Sequence, residues 1–289
     1  MKIAHIILTH EKPYQLQRLV AKLSHPNAAI FIHVDLKKDI SDFAVFHSVP
    51  NVHLINNRVN VKWGGYSMIQ ATINSCKEVI ASGIDFDYVN LLSAQDYPLK
   101  SIRRIHQFLE DNPGRAFMEF YSIKDVWTEA IPRLEKYHLT DFQFKGNNRV
   151  ENILNFLLPK RKLPKGLIAV GRSQWFTITL EHVKYVIDYL EKHPAVSSFF
   201  KYTWGSDEIV FHTILYNSPF KDSMVNNNLR YIDWSDKKAN PKTFTMADAE
   251  VLTKTDKLFA RKFNVLVDSK ILDYIDSLDS LPESTEYFL

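Results

Sequence analysis

Apolar runs that alternate with amphipathic segments constrain the fold of this chain more than any other feature. The runs "IAHIILTH" (3–10), "AAIFIHVD" (28–35) and "DYVNLLSA" (87–94) have the length and continuous hydrophobicity of strands that are buried on both faces. "NVHLIN" (51–56) predicts a further, shorter strand.

Amphipathic helices are predicted between and after these strands. In "EKPYQLQRLVAKLS" the apolar residues recur at helical spacing, "SMIQATINSCKEVIASG" ends at Gly83, and "SIRRIHQFLEDN" begins at Ser101, a suitable N-cap. Strands that alternate with helices in this way predict an α/β fold with a mostly parallel central sheet flanked by helices.

The second half of the chain is less regular. "RAFMEF" (115–120) and "SQWFTITL" (173–180) predict strands, and "EHVKYVIDYLEKH" (181–193) predicts a helix. Residues 124–170 are expected to be an irregular functional loop, and they include the basic segment "PKRKLPKG". Because no Pro/Ser-rich linker divides the chain, we expect one domain over residues 1–289.

Composition excludes several classes of protein. The net charge is +3, from 36 basic and 33 acidic residues, which is too balanced to indicate nucleic-acid binding. The single cysteine, Cys76, excludes an internal disulfide and a cysteine-based zinc site. The first apolar run is too short to span a bilayer, and we expect a cytoplasmic protein, with a peripheral position on a membrane left open.

Two short motifs lie where α/β sheets bind ligands. In "FIHVDLKK", Asp35 falls at the carboxyl end of a predicted strand, as either a ligand-binding carboxylate or a residue of a solvated turn. "VKWGGYS" places Gly64 and Gly65 just before a helix, which suits either a structural turn or the approach of backbone to a ligand. No dinucleotide or Walker fingerprint is present.

Metal binding is not favoured. Asp85 and Asp87 have the Asp-x-Asp spacing of many metal-dependent sugar transferases, but they precede a strand instead of following one. The far end of that strand carries one carboxylate, Asp96, and no zinc motif such as H-E-x-x-H occurs.

Two charged pairs have open interpretations. Asp207 and Glu208, in "TWGSDEIVFHTIL", begin an apolar helical pattern, where a carboxylate is either a partner of the helix dipole or a general base. Arg261 and Lys262 stand in an apolar run, so they either face water or bind an anion.

Six motifs occur in an order that resembles one enzyme family. "HVDLK", "WGGYS", "LLSAQDYPLKS", "GRSQWFTITLEHVKYV", "DEIVFHTILYNSP" and "LFARKF", spread over about residues 1–270, resemble the core-2/I-branching N-acetylglucosaminyltransferases and the peptide O-xylosyltransferases. The resemblance implies a GT-A-like fold and a metal-independent transferase that inverts the anomeric centre of a UDP-sugar. It also implies a nucleotide-sugar-binding half (1–123) and an acceptor-binding, catalytic half (124–289).

The resemblance also implies roles for individual residues. Glu208 matches the catalytic base, and Glu119 of "FMEF" matches an acceptor-binding glutamate, with Trp234 of "IDW" as a second acceptor contact. The residues matched to the UDP-sugar are Asp35, Lys37, Trp63, Gly64, Gly65, Asp96, Ser173, Gln174, Trp175, Arg261 and Lys262. Gln174 stands where the xylosyltransferases carry an acid, a departure at that position.

The expected function is therefore the transfer of GlcNAc or xylose from a UDP-sugar to a glycan hydroxyl, without a cofactor or a divalent metal. Because the anchor, stem and cysteine pairs of the animal enzymes are absent, the resemblance implies a bacterial-type cytoplasmic enzyme of polysaccharide biosynthesis. A nucleotide-sugar hydrolase and a non-catalytic glycan-binding module are the alternatives. The sequence predicts no oligomeric state.

Overall fold

The computed structural model describes residues 1–10 and 13–278. Its strands are β1 (Ile3–Thr9), β2 (Ala28–Val34), β3 (Val52–Leu54), β4 (Tyr88–Ser93), β5 (Asp96–Pro98), β6 (Ala116–Ser122), β7 (Val170–Thr179), β8 (Met224–Asn226), β9 (Arg230–Ile232) and β10 (Phe259–Arg261). Its α-helices are α1 (Pro13–Leu23), α2 (Tyr66–Ala81), α3 (Ile102–Glu110), α4 (Ile131–Glu135), α5 (Asn147–Leu157), α6 (Leu180–Lys192), α7 (Pro194–Lys201), α8 (Val210–Tyr216), α9 (Ala249–Lys254) and α10 (Lys270–Leu278).

A seven-stranded sheet in the order β3-β2-β1-β4-β7-β6-β8 forms the centre of the fold. The pairs β1–β2, β2–β3 and β6–β8 are parallel, whereas β7 runs antiparallel to both β4 and β6. Every residue of β2 and of β4 is buried, as their continuous apolar sequences predict. The α/β class with a mostly parallel sheet is thus confirmed.

The predicted helix ends are confirmed where local chemistry sets them. The Ser101 hydroxyl accepts a hydrogen bond from the Arg104 amide, 3.2 Å away, and caps α3. After α2, Gly83 adopts a φ of +70°, a conformation that glycine tolerates at a helix end.

Residues 124–170 contain more regular structure than expected. They hold α4 and α5, and none of the residues of α5 is buried. The polar and aromatic residues of this stretch obscured the helical spacing of Val150, Ile153 and Leu157 in α5.

The chain divides into two compact units, each built from separated segments. The first comprises Met1–His10, Asn27–Leu92 and Gly114–Asn228, and it carries the main sheet apart from Ser93. The second comprises the described residues within Glu11–Pro26, Ser93–Pro113 and Leu229–Leu289, and its sheet has the order β5-β10-β9. No helix in the described part of the chain is long and apolar enough to cross a membrane.

Candidate functional site

A single 3-10 turn, Ser206–Glu208, places Glu208 beside the main sheet of the first unit. A Cβ atom on Gly171 of β7 would lie 2.2 Å from the Glu208 carbonyl oxygen, so only glycine permits this approach. The Gly205 amide donates to the Gly64 carbonyl at 2.8 Å, and Gly205 itself has a φ of +64°. Glycines on three segments thus hold the turn in place.

The Glu208 carboxylate is bound by one arginine. Arg133 Nη1 lies 2.6 Å from Glu208 Oε2, and the two side chains are 20% and 34% exposed. The Arg133 guanidinium carbon lies over two indoles, 4.8 Å from the Trp127 ring and 4.4 Å from the Trp204 ring. Because these contacts restrict the guanidinium, its hydrogen bond orients the Glu208 carboxylate.

Arg172 completes this group, which we call the Glu208 cluster (Glu208, Arg133, Trp127, Trp204 and Arg172). The Arg172 guanidinium lies 5.5 Å from the Trp127 ring. Burial raises the pKa of Glu208, while the charges of Arg133 and then Arg172 act in the opposite direction. Burial, followed by the charge of Glu208, also raises the pKa of the neighbouring Asp207.

This geometry bears on the two interpretations of Glu208. The N-cap of α8 is Ile209, which makes no side-chain cap, and the Glu208 carboxylate instead binds Arg133. A fixed carboxylate with a raised pKa and a partly open face can accept a proton from a hydroxyl. Sequence reasoning missed Arg133, which is 75 residues from Glu208, and no pattern in the sequence links the two.

In the "WGG" turn the two glycines are closely packed, whereas the tryptophan is exposed. A Cβ on Gly64 would lie 2.4 Å from the Trp204 indole nitrogen, and one on Gly65 would lie 2.2 Å from Asp141 Oδ1. Asp141 also accepts a hydrogen bond from the amide of Ser67, 2.9 Å away. It thereby supplies a partner for a backbone amide in the first turn of α2. The structural-turn interpretation thus has a physical basis at both glycines, whereas Trp63 is 66% exposed and free to contact a ligand.

Irregular strand pairing brings Glu119 together with Ser173. The register passes from Met118↔Phe176 to Phe120↔Arg172, so residues 173–175 of β7 bulge opposite Glu119 of β6. Asn228 Nδ2 donates to both Glu119 Oε2 and Ser173 Oγ, each at 3.1 Å. Glu119, which is matched to the acceptor, and Ser173, which is matched to the donor, therefore share the side-chain amide of Asn228. Sequence reasoning did not identify Asn228.

Gln174 and Trp175 lie in the same bulge. The Gln174 amide nitrogen is buried and has no hydrogen-bond partner among residues 1–10 and 13–278. A buried donor without a partner costs about 1–3 kcal/mol, so a ligand acceptor would stabilise it. Trp175 is 8% exposed and belongs to the core, so its indole offers no stacking surface.

Asp35 lies at the end of β2, where the sequence places it, and is 4% exposed. Its carboxylate accepts from the Lys37 amide at 2.9 Å and is 3.2 Å from Lys37 Nζ. Arg58, which the sequence analysis did not single out, donates to the Val34 and Asp35 carbonyls and ties down this loop. His33 is neutral here, since burial lowers its pKa to about 4.

The second unit carries the predicted cations. Arg261 Nη1 lies 2.7 Å from Asp96 Oδ1, and Asp96, whose other oxygen accepts from the Ser93 amide, is completely buried. Asp96 therefore orients Arg261 and cannot itself line a pocket in this conformation. The Lys262 ammonium makes no hydrogen bond or ion pair with any other described residue.

Arg230 belongs to the same group and was missed by sequence reasoning. Burial lowers its pKa to about 9, and the charge of Asp96 partly offsets this. Three cations and one carboxylate leave a formal charge of +2 on this group, which we call the Arg261 cluster (Arg230, Arg261, Lys262 and Asp96). Such a group is suited to bind an anion.

The remaining predicted residues have simpler environments. Trp234 is 53% exposed in the second unit, as a stacking surface requires. Asp87 accepts a hydrogen bond from the Lys2 amide at 2.6 Å, a structural role. The described residues contain no group of three or more His, Cys, Asp or Glu side chains that could hold a metal ion.

Comparisons with known proteins agree with the resemblance noted from the sequence motifs. Xylosyltransferase 2 of Rattus norvegicus is 28% identical over 96% of this chain, and xylosyltransferase oxt of Drosophila melanogaster is 27% identical over 94% of it. The chain spans about a third of the length of each of these relatives, 33% in both cases.

Solved structures give weaker matches. A complex of the galactosyltransferase LgtC with donor and acceptor sugar analogs has a TM-score of 0.43 at 9% identity, with 97% of this chain and 98% of that chain covered. Apo mouse xyloside xylosyltransferase 1 has a TM-score of 0.40 at 8% identity, with coverages of 90% and 96%. Both TM-scores lie below 0.5.

The family itself is shown by the match over most of the sequence. The model of the family described as "Branch: Core-2/I-Branching enzyme" matches residues 3–257. That span contains both carboxylates of the Glu208 turn, the β7 bulge and the Asp35 loop. The chain therefore belongs to the Core-2/I-branching enzyme family.

Proposed function

We propose that this chain is an inverting, metal-independent glycosyltransferase that moves GlcNAc or xylose from a UDP-sugar to a hydroxyl of a glycan acceptor. The observation that carries the proposal is the Glu208–Arg133 pair, because it presents a carboxylate that is about one-third exposed in a fixed orientation. Glu208 takes the proton of the acceptor hydroxyl as its oxygen attacks the anomeric carbon. The bond to the diphosphate breaks on the opposite face, so the product has the inverted configuration.

The leaving diphosphate needs positive charge, since negative charge grows on it as the glycosidic bond breaks. We assign this role to Arg261, which can form a bidentate fork, and to Lys262, which acts as a point charge. The ion pair with buried Asp96 supports the first assignment, because it pre-orients the guanidinium. The absence of a described partner for the Lys262 ammonium supports the second.

Other residues bind the two substrates under this proposal. Asp35 and Lys37 contact the uridine nucleotide, and Trp63 offers its exposed indole to the donor. Glu119 and Ser173, which share the Asn228 amide, contact the acceptor and the donor respectively. Gln174 contributes its buried amide donor, and Trp234 supplies a surface on which a sugar ring can stack.

The test is an assay of transfer from UDP-GlcNAc and UDP-xylose to a panel of oligosaccharides, with product configuration read by NMR. Excess chelator should leave transfer intact. Glu208→Gln removes the base and keeps the shape, so turnover should fall by roughly a hundredfold or more, whereas UDP affinity should change little.

Glu250→Gln is the matched control, since that side chain is 80% exposed on a different helix. Free sugar released equally with and without acceptor would show a hydrolase instead. Glycan binding without measurable UDP affinity would show a binding module. Loss of transfer in chelator that manganese restores would refute the metal-independent mechanism.

A further inference from the structure

Helix α5 is attached to the first unit through polar side chains. Glu151 Oε2 accepts from the Leu139 amide at 2.8 Å, and Asn155 both accepts from the Tyr137 amide and donates to the Tyr137 carbonyl, at 2.7 and 2.8 Å. Residues four positions apart lie on one face of a helix. The inward face of α5 is therefore hydrophilic.

The opposite face of α5 is apolar and exposed. At about 100° per residue, four residues lie within an arc of roughly 120° centred opposite Glu151 and Asn155, namely Val150, Ile153, Phe156 and Leu157. Ile153 is 55% exposed, Leu157 69% and Phe156 87%. Soluble helices normally bury their apolar face, so this one is turned the other way round.

Positive charge is concentrated in the part of the chain that carries and flanks this apolar face. Residues 142–168 contain six Lys or Arg and one Glu, a formal charge of +5, whereas the whole chain carries only +3. Lys145, Arg149, Lys162 and Lys165 are exposed and have no ion pair with another described residue. The rest of the chain is close to neutral, so the charge is localised here.

We propose that this face binds the surface of an anionic lipid bilayer. The face, which we call the α5 surface, consists of Val150, Ile153, Phe156, Leu157 and Leu158 with the cations Lys145, Arg149, Lys162 and Lys165. Apolar side chains enter the interface between headgroups and acyl chains, and flanking cations contact lipid phosphates. The inference does not depend on the proposed function.

Charge also argues against a second copy of this chain as the occupant. A symmetric dimer through the α5 surface would place +5 against +5, since both copies use the same patch. An anionic bilayer satisfies the apolar residues and the cations together.

The test is co-sedimentation of the full chain with vesicles of phosphatidylglycerol and phosphatidylcholine, against vesicles of phosphatidylcholine alone. We expect binding to the anionic vesicles that weakens with salt. Phe156→Ser should lower the partition coefficient by about tenfold or more, because one large apolar side chain is lost from the interface. Neutralising Arg149 or Lys162 with glutamine should each lower it by about fivefold.

Leu266→Ser is the matched control, since Leu266 is 92% exposed but lies outside the α5 surface. Its vesicle binding should equal that of the unmodified chain. The proposal is refuted if the chain does not sediment with anionic vesicles, or if Phe156→Ser and Leu266→Ser bind equally. It is also refuted if light scattering without lipid shows a dimer that Phe156→Ser abolishes.

Discussion

Replacing Arg133 with methionine should raise the pKa of Glu208 and make it a base that works only at higher pH. Methionine keeps much of the apolar contact with Trp127 and Trp204 but removes the charge and the 2.6 Å hydrogen bond. Burial already raises the pKa of Glu208, and Arg133 is the largest influence that lowers it. Without Arg133, the ionised carboxylate of Glu208 is still partly buried but has lost the charge that stabilised it most.

The magnitude follows from the geometry of the pair. A hydrogen bond to a charged group contributes about 1.5–3 kcal/mol, and one pKa unit corresponds to about 1.4 kcal/mol. The Glu208 side chain is 34% exposed, so water screens part of the interaction and the lower end applies. We therefore expect an upward shift of about one unit.

Arg172→Met is the matched control. Arg172 also stacks on Trp127 and also lowers the pKa of Glu208, but its side chain is 43% exposed and it donates no hydrogen bond to that carboxylate. A screened charge of this kind contributes about 0–1 kcal/mol, so the shift should be less than that of Arg133→Met.

Carbon-13 NMR of glutamate-labelled protein measures the titration directly and needs no acceptor. The carboxyl resonance that disappears in Glu208→Gln identifies the residue. Because Asp207 interacts with Glu208, the apparent pKa belongs to the pair, and the comparison between variants carries the result. In the transfer assay, the acid limb of kcat/KM should move upward by the same amount.

Two results would refute this reasoning. Equal shifts in Arg133→Met and Arg172→Met would show that the hydrogen bond has no special effect. An unchanged or lower pKa in Arg133→Met would show that Arg133 does not stabilise the ionised form. The second outcome would leave Arg133 with a structural role only.

The other predictions concern the Arg261 cluster and the glycine beneath the Glu208 turn. Lys262→Ala should weaken UDP binding by about tenfold or more while uridine binding stays the same, measured by calorimetry; equal losses for both ligands would contradict the assignment. Arg261→Ala leaves the fully buried Asp96 without this cation and should lower the free energy of unfolding by about 3–5 kcal/mol in urea titrations; an unchanged free energy of unfolding would show that Asp96 does not depend on Arg261. Gly171→Ala should reduce turnover sharply, because its Cβ would lie 2.2 Å from the Glu208 carbonyl oxygen; wild-type activity would show that the turn can shift.

Much of the framework was predictable from local patterns. β1, β2 and β4 are buried on both faces, and continuous hydrophobicity marks such strands whatever surrounds them. Ser101 and Gly83 mark helix ends through contacts within a few residues, which the sequence displays directly. Family motifs located Glu208, but its role as a base stays a prediction.

Pairings between distant residues were decided by the tertiary structure alone. Arg133 and Glu208 are 75 residues apart, and Asp96 and Arg261 are 165 apart. No local pattern encodes such a pair, because each partner is an ordinary charged residue until folding brings its counterpart within reach. The same holds for the bulge that places Glu119 opposite residues 173–175, since strand register depends on both strands at once.

In helix α5, the sequence shows which residues share a face, but only the structure shows which face is exposed. Its apolar residues and nearby cations are visible in the sequence. They would ordinarily predict either a loop or a helix whose apolar face packs on a core. Only the structure shows that Glu151 and Asn155 face inward and bind backbone groups, which leaves Phe156 87% exposed. The periodicity of a sequence determines which side chains share a face, but the surrounding fold determines which face meets solvent.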